Sequence, residues 1–203
     1  MEPFDQLLRQ AEAAHGHLCA GQILGVRMAL LGLARLGISD PRGADRKRLI
    51  TYVEIDRCAT DAIALVTGCR LGKRALKYRD WGKMATTFVD LSTVDPPGSR
   101  AIRIVALEDS REHAARLYPG LETKKQQMQA YRELPDSLLF REQWVGIEID
   151  PADLPGYKAG RVVCPRCGEG VNFGRVAIVD GQRLCLSCAH PELRYWQPAD
   201  PPS

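Results

Sequence analysis

The chain has 203 residues, 45% apolar and 26% charged, which suits one medium domain or a domain with a small module. A net charge of +3 leaves no overall basic field of the kind that nucleic acid or an anionic membrane attracts. Residues 1–5 contain Glu2 and Asp5 and lack the apolar core of a signal peptide. The longest apolar stretch, 23–38, is interrupted by Arg27 and Arg35 and is too short to span a bilayer, so the expectation is a soluble, cytoplasmic protein.

Residues 4–14 place Phe4, Leu7, Leu8 and Ala11 at helical spacing, which predicts a short amphipathic helix. The next segment is His15-Gly16-His17-Leu18-Cys19-Ala20-Gly21, with two imidazoles and a thiol inside five positions. No packing requirement calls for that grouping. His and Cys are the usual soft-metal ligands, and His is the usual proton carrier near neutral pH. Residues 22–36 are apolar on most faces and predict a buried helix, ended by Gly37 and Ser39-Asp40-Pro41. Residues 49–55 form a β-branched run and predict a central strand. A helix from Cys58 to Val66 follows, with Gly68 as its stop.

Strands are predicted at 76–78, 85–91 and 101–107, with a turn at Asp95-Pro96-Pro97-Gly98-Ser99. Helices are predicted at 110–117 and 122–133, and a last strand at 145–149. Helices and strands interleave, yet several strands are neighbours in sequence, so the pattern reads as α+β with a mixed sheet. Residues 150–156 hold two prolines and a glycine and mark a boundary between a core domain over 1–150 and a small domain over 157–195. The tail, 198–203, is proline-rich and reads as loose.

There are seven cysteines, an odd number, and the last four form two C-x-x-C pairs: Cys164 with Cys167 and Cys185 with Cys188. Seventeen residues separate the pairs, and within them 175–179, the turn Asp180-Gly181 and 182–184 read as a hairpin. Two knuckles joined by a hairpin supply four thiolates to a tetrahedral structural zinc. A redox dithiol needs only one such pair. His190 reads as a surface residue, because the four cysteines complete the shell. From Asp153 to Asp200 there are six Lys or Arg and five Asp or Glu, a near-balance that argues against nucleic-acid binding. It favours protein contact or dimer bracing.

In the core domain, Cys58 opens a helix directly after a strand, where a helix N-terminus and Arg57 lower a thiol's pKa. If that loop approaches the turn at 15–19, then His17, Cys19 and Cys58 make a three-ligand site for a second divalent metal with an open position. His15 or Asp61 would be a fourth ligand, a proton carrier or a partner to a ligand. The alternative is that Cys19 and Cys58 are small buried apolar residues. Arg70, Lys73, Arg74, Lys77, Arg79 and Lys83 form a basic stretch opposed by Asp80. Its glycines do not make a phosphate loop, because three residues separate them and Arg74 stands where Ser or Thr is needed. Lys73 on that flexed loop is either an anion-holding side chain or part of a solvated basic face.

Four motifs in order carry a family resemblance: His15-Gly-His-Leu-Cys-Ala-Gly21, Cys58-Ala-Thr-Asp61-Ala-Ile, Thr67-Gly-Cys-x-x-Gly-Lys73, and Asp80-x-Gly82-Lys83 with Thr87-Phe88. Together they resemble the E-subunit family of formylmethanofuran dehydrogenase over roughly residues 10–110, and many members also carry a C-terminal four-cysteine finger. Two positions depart from the pattern. Ala20 stands where proline is common, and Ala85-Thr86 where an aromatic residue is common.

The resemblance implies a thioredoxin-like α+β core, a treble-clef or ribbon-type finger, a metal or active site at the His/Cys cluster, and a homodimer. It also implies an association with a molybdenum or tungsten oxidoreductase in one-carbon metabolism, but not that this chain performs the redox step. Two functional readings follow. One is a metal-site protein or enzyme acting through His17, Cys19 and Cys58. The other is an accessory protein that docks larger oxidoreductase subunits and has no chemistry of its own.

Overall fold

The computed structural model describes residues 2–92 and 100–199, so the predicted turn at 95–99 lies outside the described residues. Two compact units divide the chain, residues 1–149 and residues 150–203. No described helix is long and apolar enough to cross a membrane.

In the first unit, α1 (Phe4–His15) buries Leu7, Leu8 and Ala11 and ends at Gly16, whose φ of +95° lets the chain reverse. The helix α2 (Ala20–Leu36) begins two residues before the predicted start. Its N-cap, Cys19, donates its backbone N–H to Gln22 Oε1 at 3.3 Å. Gln22 is fully buried, and its amide donates to the Ala11 carbonyl at 3.0 Å. That side chain ties α1 to the start of α2 without leaving a buried polar group unpaired.

Strands β1 (Leu49–Val53), β2 (Leu76–Tyr78), β3 (Ala85–Asp90), β4 (Arg100–Ala106) and β5 (Phe140–Val145) form one sheet in the order β2-β1-β3-β4-β5. Only the β1–β2 pair is parallel, so the sheet is mixed and the class is α+β. Helices α3 (Cys58–Thr67), α4 (Ser110–Leu117), α5 (Thr123–Glu133) and α6 (Asp136–Leu139) complete this unit. The predicted strand at 145–149 is corrected: β5 lies earlier, at Phe140–Val145, and α6 leads directly into it. It is an edge strand, where Arg141 and Glu142 face solvent, so charge masked its β pattern.

Two glycines set the helix packing. A Cβ on Gly32 would fall 2.3 Å from the Phe88 ring, which is fully buried in β3. A Cβ on Gly25 would fall 2.5 Å from the Ala59 carbonyl oxygen and 2.8 Å from its Cα. Thus α2 and α3 touch backbone to backbone near the start of α3. A carbonyl cannot move aside as a flexible side chain can. Gly25→Ala is therefore expected to cost about 2–3 kcal/mol, read as a lower urea midpoint, and an unchanged midpoint would contradict the close approach.

The second unit holds two small hairpins, β6 (Val162–Val163) with β7 (Gly170–Val171) and β8 (Val176–Val179) with β9 (Gln182–Cys185), then α7 (Leu186–Ala189). The four-residue helix was not predicted. Knuckle, hairpin and helix follow one another as in a treble-clef finger. The apolar core is slight: Leu184 and three buried cysteines, with Val171, Val179 and Ala189 against them.

Candidate active site and metal centre

The finger gathers its ligands fully. One sulfur from each of Cys164, Cys167, Cys185 and Cys188 lies within 4.8 Å of every other. The Cys167 and Cys185 sulfurs are 3.8 Å apart. A zinc tetrahedron with Zn–S near 2.3 Å has S···S edges of about 3.8 Å, so the donor set fits zinc in type, number and spacing. The surroundings fit thiolates as well. The Cys185 N–H donates to Cys164 Sγ at 3.4 Å, and Arg194 Nη2 to Cys188 Sγ at 3.6 Å. The first of these contacts leads in holding the Cys164 thiol down to about 6, against the burial that opposes it.

The core-domain cluster converges through two helix starts. Cys19 is the N-cap of α2 and Cys58 is the first residue of α3, with Arg57 as its N-cap. Thr60 Oγ1 donates to the Ile55 carbonyl at 2.5 Å and fixes the loop that delivers Cys58. Gly21 borders both cysteines: a Cβ there would sit 3.5 Å from Cys58 Cβ and 3.7 Å from Cys19 Sγ. Burial first, and then hydrogen bonding with Cys19, push the Cys58 thiol above its ordinary value. This corrects the expected lowering. The backbone hydrogen bond at the helix start still pulls downward, but it is outweighed.

His15, the last residue of α1, places Nδ1 3.0 Å from Asp61 Oδ2 on α3. Its ring lies 4.9 Å from that of His17, which is exposed. His15, Cys58 and Asp61 line a cavity of about 420 Å³ with Arg57, Ile55 and Tyr78. The structure therefore brings Cys19 to Cys58 and His15 to Asp61. Among the described residues, however, the finger is the one group of three or more His, Cys, Asp or Glu ligand atoms close enough to share an ion. His17, Cys19 and Cys58 do not close into such a group.

Lys73 is exposed on a 3-10 turn, Leu71–Lys73, and is not among the residues lining the cavity. Part of the basic stretch stacks on aromatic rings instead: Arg79 lies over Tyr52 at 5.8 Å and Lys83 over Trp81 at 5.7 Å. Cys69 is buried, with Sγ 3.6 Å from the Leu49 carbonyl, and burial raises its thiol. Sequence reasoning did not anticipate Leu71, Leu76 and Tyr78 as cavity walls. They arrive through the parallel β1–β2 pairing, in which Tyr78 stands opposite Val53, and no local signal announces that register.

Comparison with known proteins gives a consistent picture. The family described as "FmdE, Molybdenum formylmethanofuran dehydrogenase operon" matches residues 14–143. The prokaryotic dksA/traR C4-type zinc finger matches residues 157–192. A curated relative from Archaeoglobus fulgidus, named "Probable S-adenosyl-L-methionine-binding protein", is 32% identical over 204 residues, covering 91% of this chain and 52% of its own length. The chain thus spans about half the length of that relative. A solved structure shares the fold, with a TM-score of 0.63, 21% identity and 94% of each chain covered. It is described as a tungsten formylmethanofuran dehydrogenase FmdE-like protein from Syntrophus aciditrophicus.

Proposed function

Because the chain belongs to the FmdE family, we propose that it is a cytoplasmic metal-binding protein of one-carbon, formyl or carbon dioxide, metabolism. Its finger holds a structural zinc, and its reactive site is the His15, His17, Cys19, Cys58 and Asp61 cluster. One observation carries this reading. The starts of α2 and α3 bring Cys19 and Cys58 together beside Gly21, and a His–Asp pair stands at the cavity that Cys58 lines.

In this reading a second divalent ion would have to draw in His17, which does not close with Cys19 and Cys58 into a shared ligand group. Asp61 accepts from His15 Nδ1 and so fixes which ring nitrogen is left to meet a ligand. The cavity has an apolar wall of Ile55, Leu71 and Leu76 and a polar side with Arg57, Asp56 and Asp61, which suits a small polar compound with a carbon body.

Metal content by mass spectrometry of the purified full chain tests the proposal. Two ions per chain are expected, with one lost in Cys19→Ser or Cys58→Ser while the zinc of the finger stays. A single ion in the parent protein would remove the second metal. The near-even charge of the finger favours a second reading, an accessory protein that forms a homodimer and docks larger molybdenum or tungsten oxidoreductase subunits. That reading expects the single ion, together with co-purifying subunits that are lost when residues beyond 155 are deleted.

A further inference from the structure

The seven cysteines divide by environment. Four gather in the finger, and Cys69 is 3% exposed inside the core. Cys19 and Cys58 remain. Both are half-buried rather than sealed, both begin helices, and both side chains border Gly21. A metal reading of this cluster needs a third ligand within reach, and the described residues do not supply one at that distance. A pair of thiols needs none.

We propose that Cys19 and Cys58 are a redox-active dithiol that a peroxide closes to a disulfide at the edge of the cavity. The inference goes beyond the function proposed above and holds whether or not the cluster binds a metal.

Three observations carry it. First, the two side chains converge on one point: a Cβ on Gly21 would lie 3.5 Å from Cys58 Cβ and 3.7 Å from Cys19 Sγ, in ordinary van der Waals contact with both. Second, the backbones that bear them are held close by packing. Gly25 on α2 touches the Ala59 backbone, and Ala59 follows Cys58 directly. A disulfide needs its Cβ atoms about 3.5–4.5 Å apart, so the link depends on the two helix starts staying together. Third, access is selective. The cavity reaches Cys58, at the start of α3, and leaves Cys69, just past its end, buried.

The chemistry balances. One sulfur attacks a peroxide oxygen, the O–O bond breaks, and a sulfenic acid forms with loss of one water. The second sulfur attacks the first, the S–S bond forms, the S–O bond breaks, and a second water leaves. Two thiols and one hydrogen peroxide thus give one disulfide and two waters, with two electrons passing from sulfur to oxygen. A thiol reductant reverses the bond. Where the cluster does hold a metal, as in the function proposed above, the disulfide removes both thiolates from it, and oxidation and metal binding exclude each other.

The test uses the reduced, zinc-loaded full chain, treated with about one equivalent of hydrogen peroxide, alkylated with iodoacetamide and digested with trypsin without reduction. Mass spectrometry should find the Cys19 and Cys58 peptides linked, two thiols per chain lost, and both regained on adding dithiothreitol. Cys58 and Cys69 share one tryptic peptide, 58–70, so the experiment is repeated in Cys69→Ala, where the link should persist. Alkylated Cys19 and Cys58 beside oxidised finger cysteines would overturn the proposal. So would sulfinic acid at either residue without a linked peptide. A linked peptide in a protein with only one ion per chain leaves the dithiol standing and removes the second metal. Two ions per chain with no linked peptide from metal-stripped protein does the opposite.

Discussion

Cys164→Ser is expected to unfold the finger while leaving residues 1–149 folded. Cys164 is fully buried among the other three cysteines and accepts the Cys185 N–H. Beyond those cysteines, Leu184 is the one fully buried apolar side chain among the described residues of this unit. A core so small cannot offset the entropy of ordering about 40 residues, so the metal must do so. Binding of structural zinc by four-ligand peptides contributes roughly 10–16 kcal/mol near neutral pH, the largest single term this chain can hold. A serine hydroxyl is a poor zinc ligand and leaves three thiols without their ion. Limited proteolysis should cut the variant within 150–199 and spare the first unit, with zinc content reduced. Stripping the parent protein with a chelator should give the same fragments. A variant as resistant as the parent would mean that the finger folds without metal.

The finger was legible because its signal is local. Two C-x-x-C pairs and a turn at Asp180-Gly181 lie within one short span, and Asp180 and Gly181 both adopt positive φ there. The helix α2 was legible because it is apolar on nearly every face, and the positions of Cys19 and Cys58 followed from the helices they begin. The cavity was not legible. Its far wall comes from Leu71, Leu76 and Tyr78, joined to the site by a parallel strand pairing across sequence that carries no mark of its register. Nor was the direction of the Cys58 shift. The helix start is visible in sequence, whereas the burial and the Cys19 contact that outweigh it belong to tertiary structure. The strand β5 was displaced for a related reason, because an edge strand with Arg141 and Glu142 lacks the β-branched run that marked β1.

Arg103→Met is expected to destabilise the first unit by about 3–5 kcal/mol, because it strips the partner from a buried carboxylate. Glu54 follows β1 and is 2% exposed. Its carboxylate accepts from Arg103 Nε and Nη2, both at 2.6 Å, while Arg103 Nη1 donates to Gln143 Oε1 at 2.9 Å. The guanidinium thus reaches from β4 past β3, whose Thr87 is paired with Arg103, to the end of β1. A methionine fills similar volume but leaves the carboxylate buried and alone. Urea unfolding should register the loss, and adding Glu54→Gln should recover part of it, because an uncharged amide tolerates burial better. A single-variant cost below about 1 kcal/mol would mean that water reaches the pair, as at a surface ion pair. The pair also bears on the site. The Glu54 carbonyl accepts from the Trp81 and Lys83 N–H groups at 3.2 and 3.1 Å, and Cys58 follows four residues later. Loosening Glu54 frees the loop that holds Cys58 against Cys19. Arg103→Met should therefore also slow formation of the Cys19–Cys58 link under peroxide, at a position that touches neither thiol.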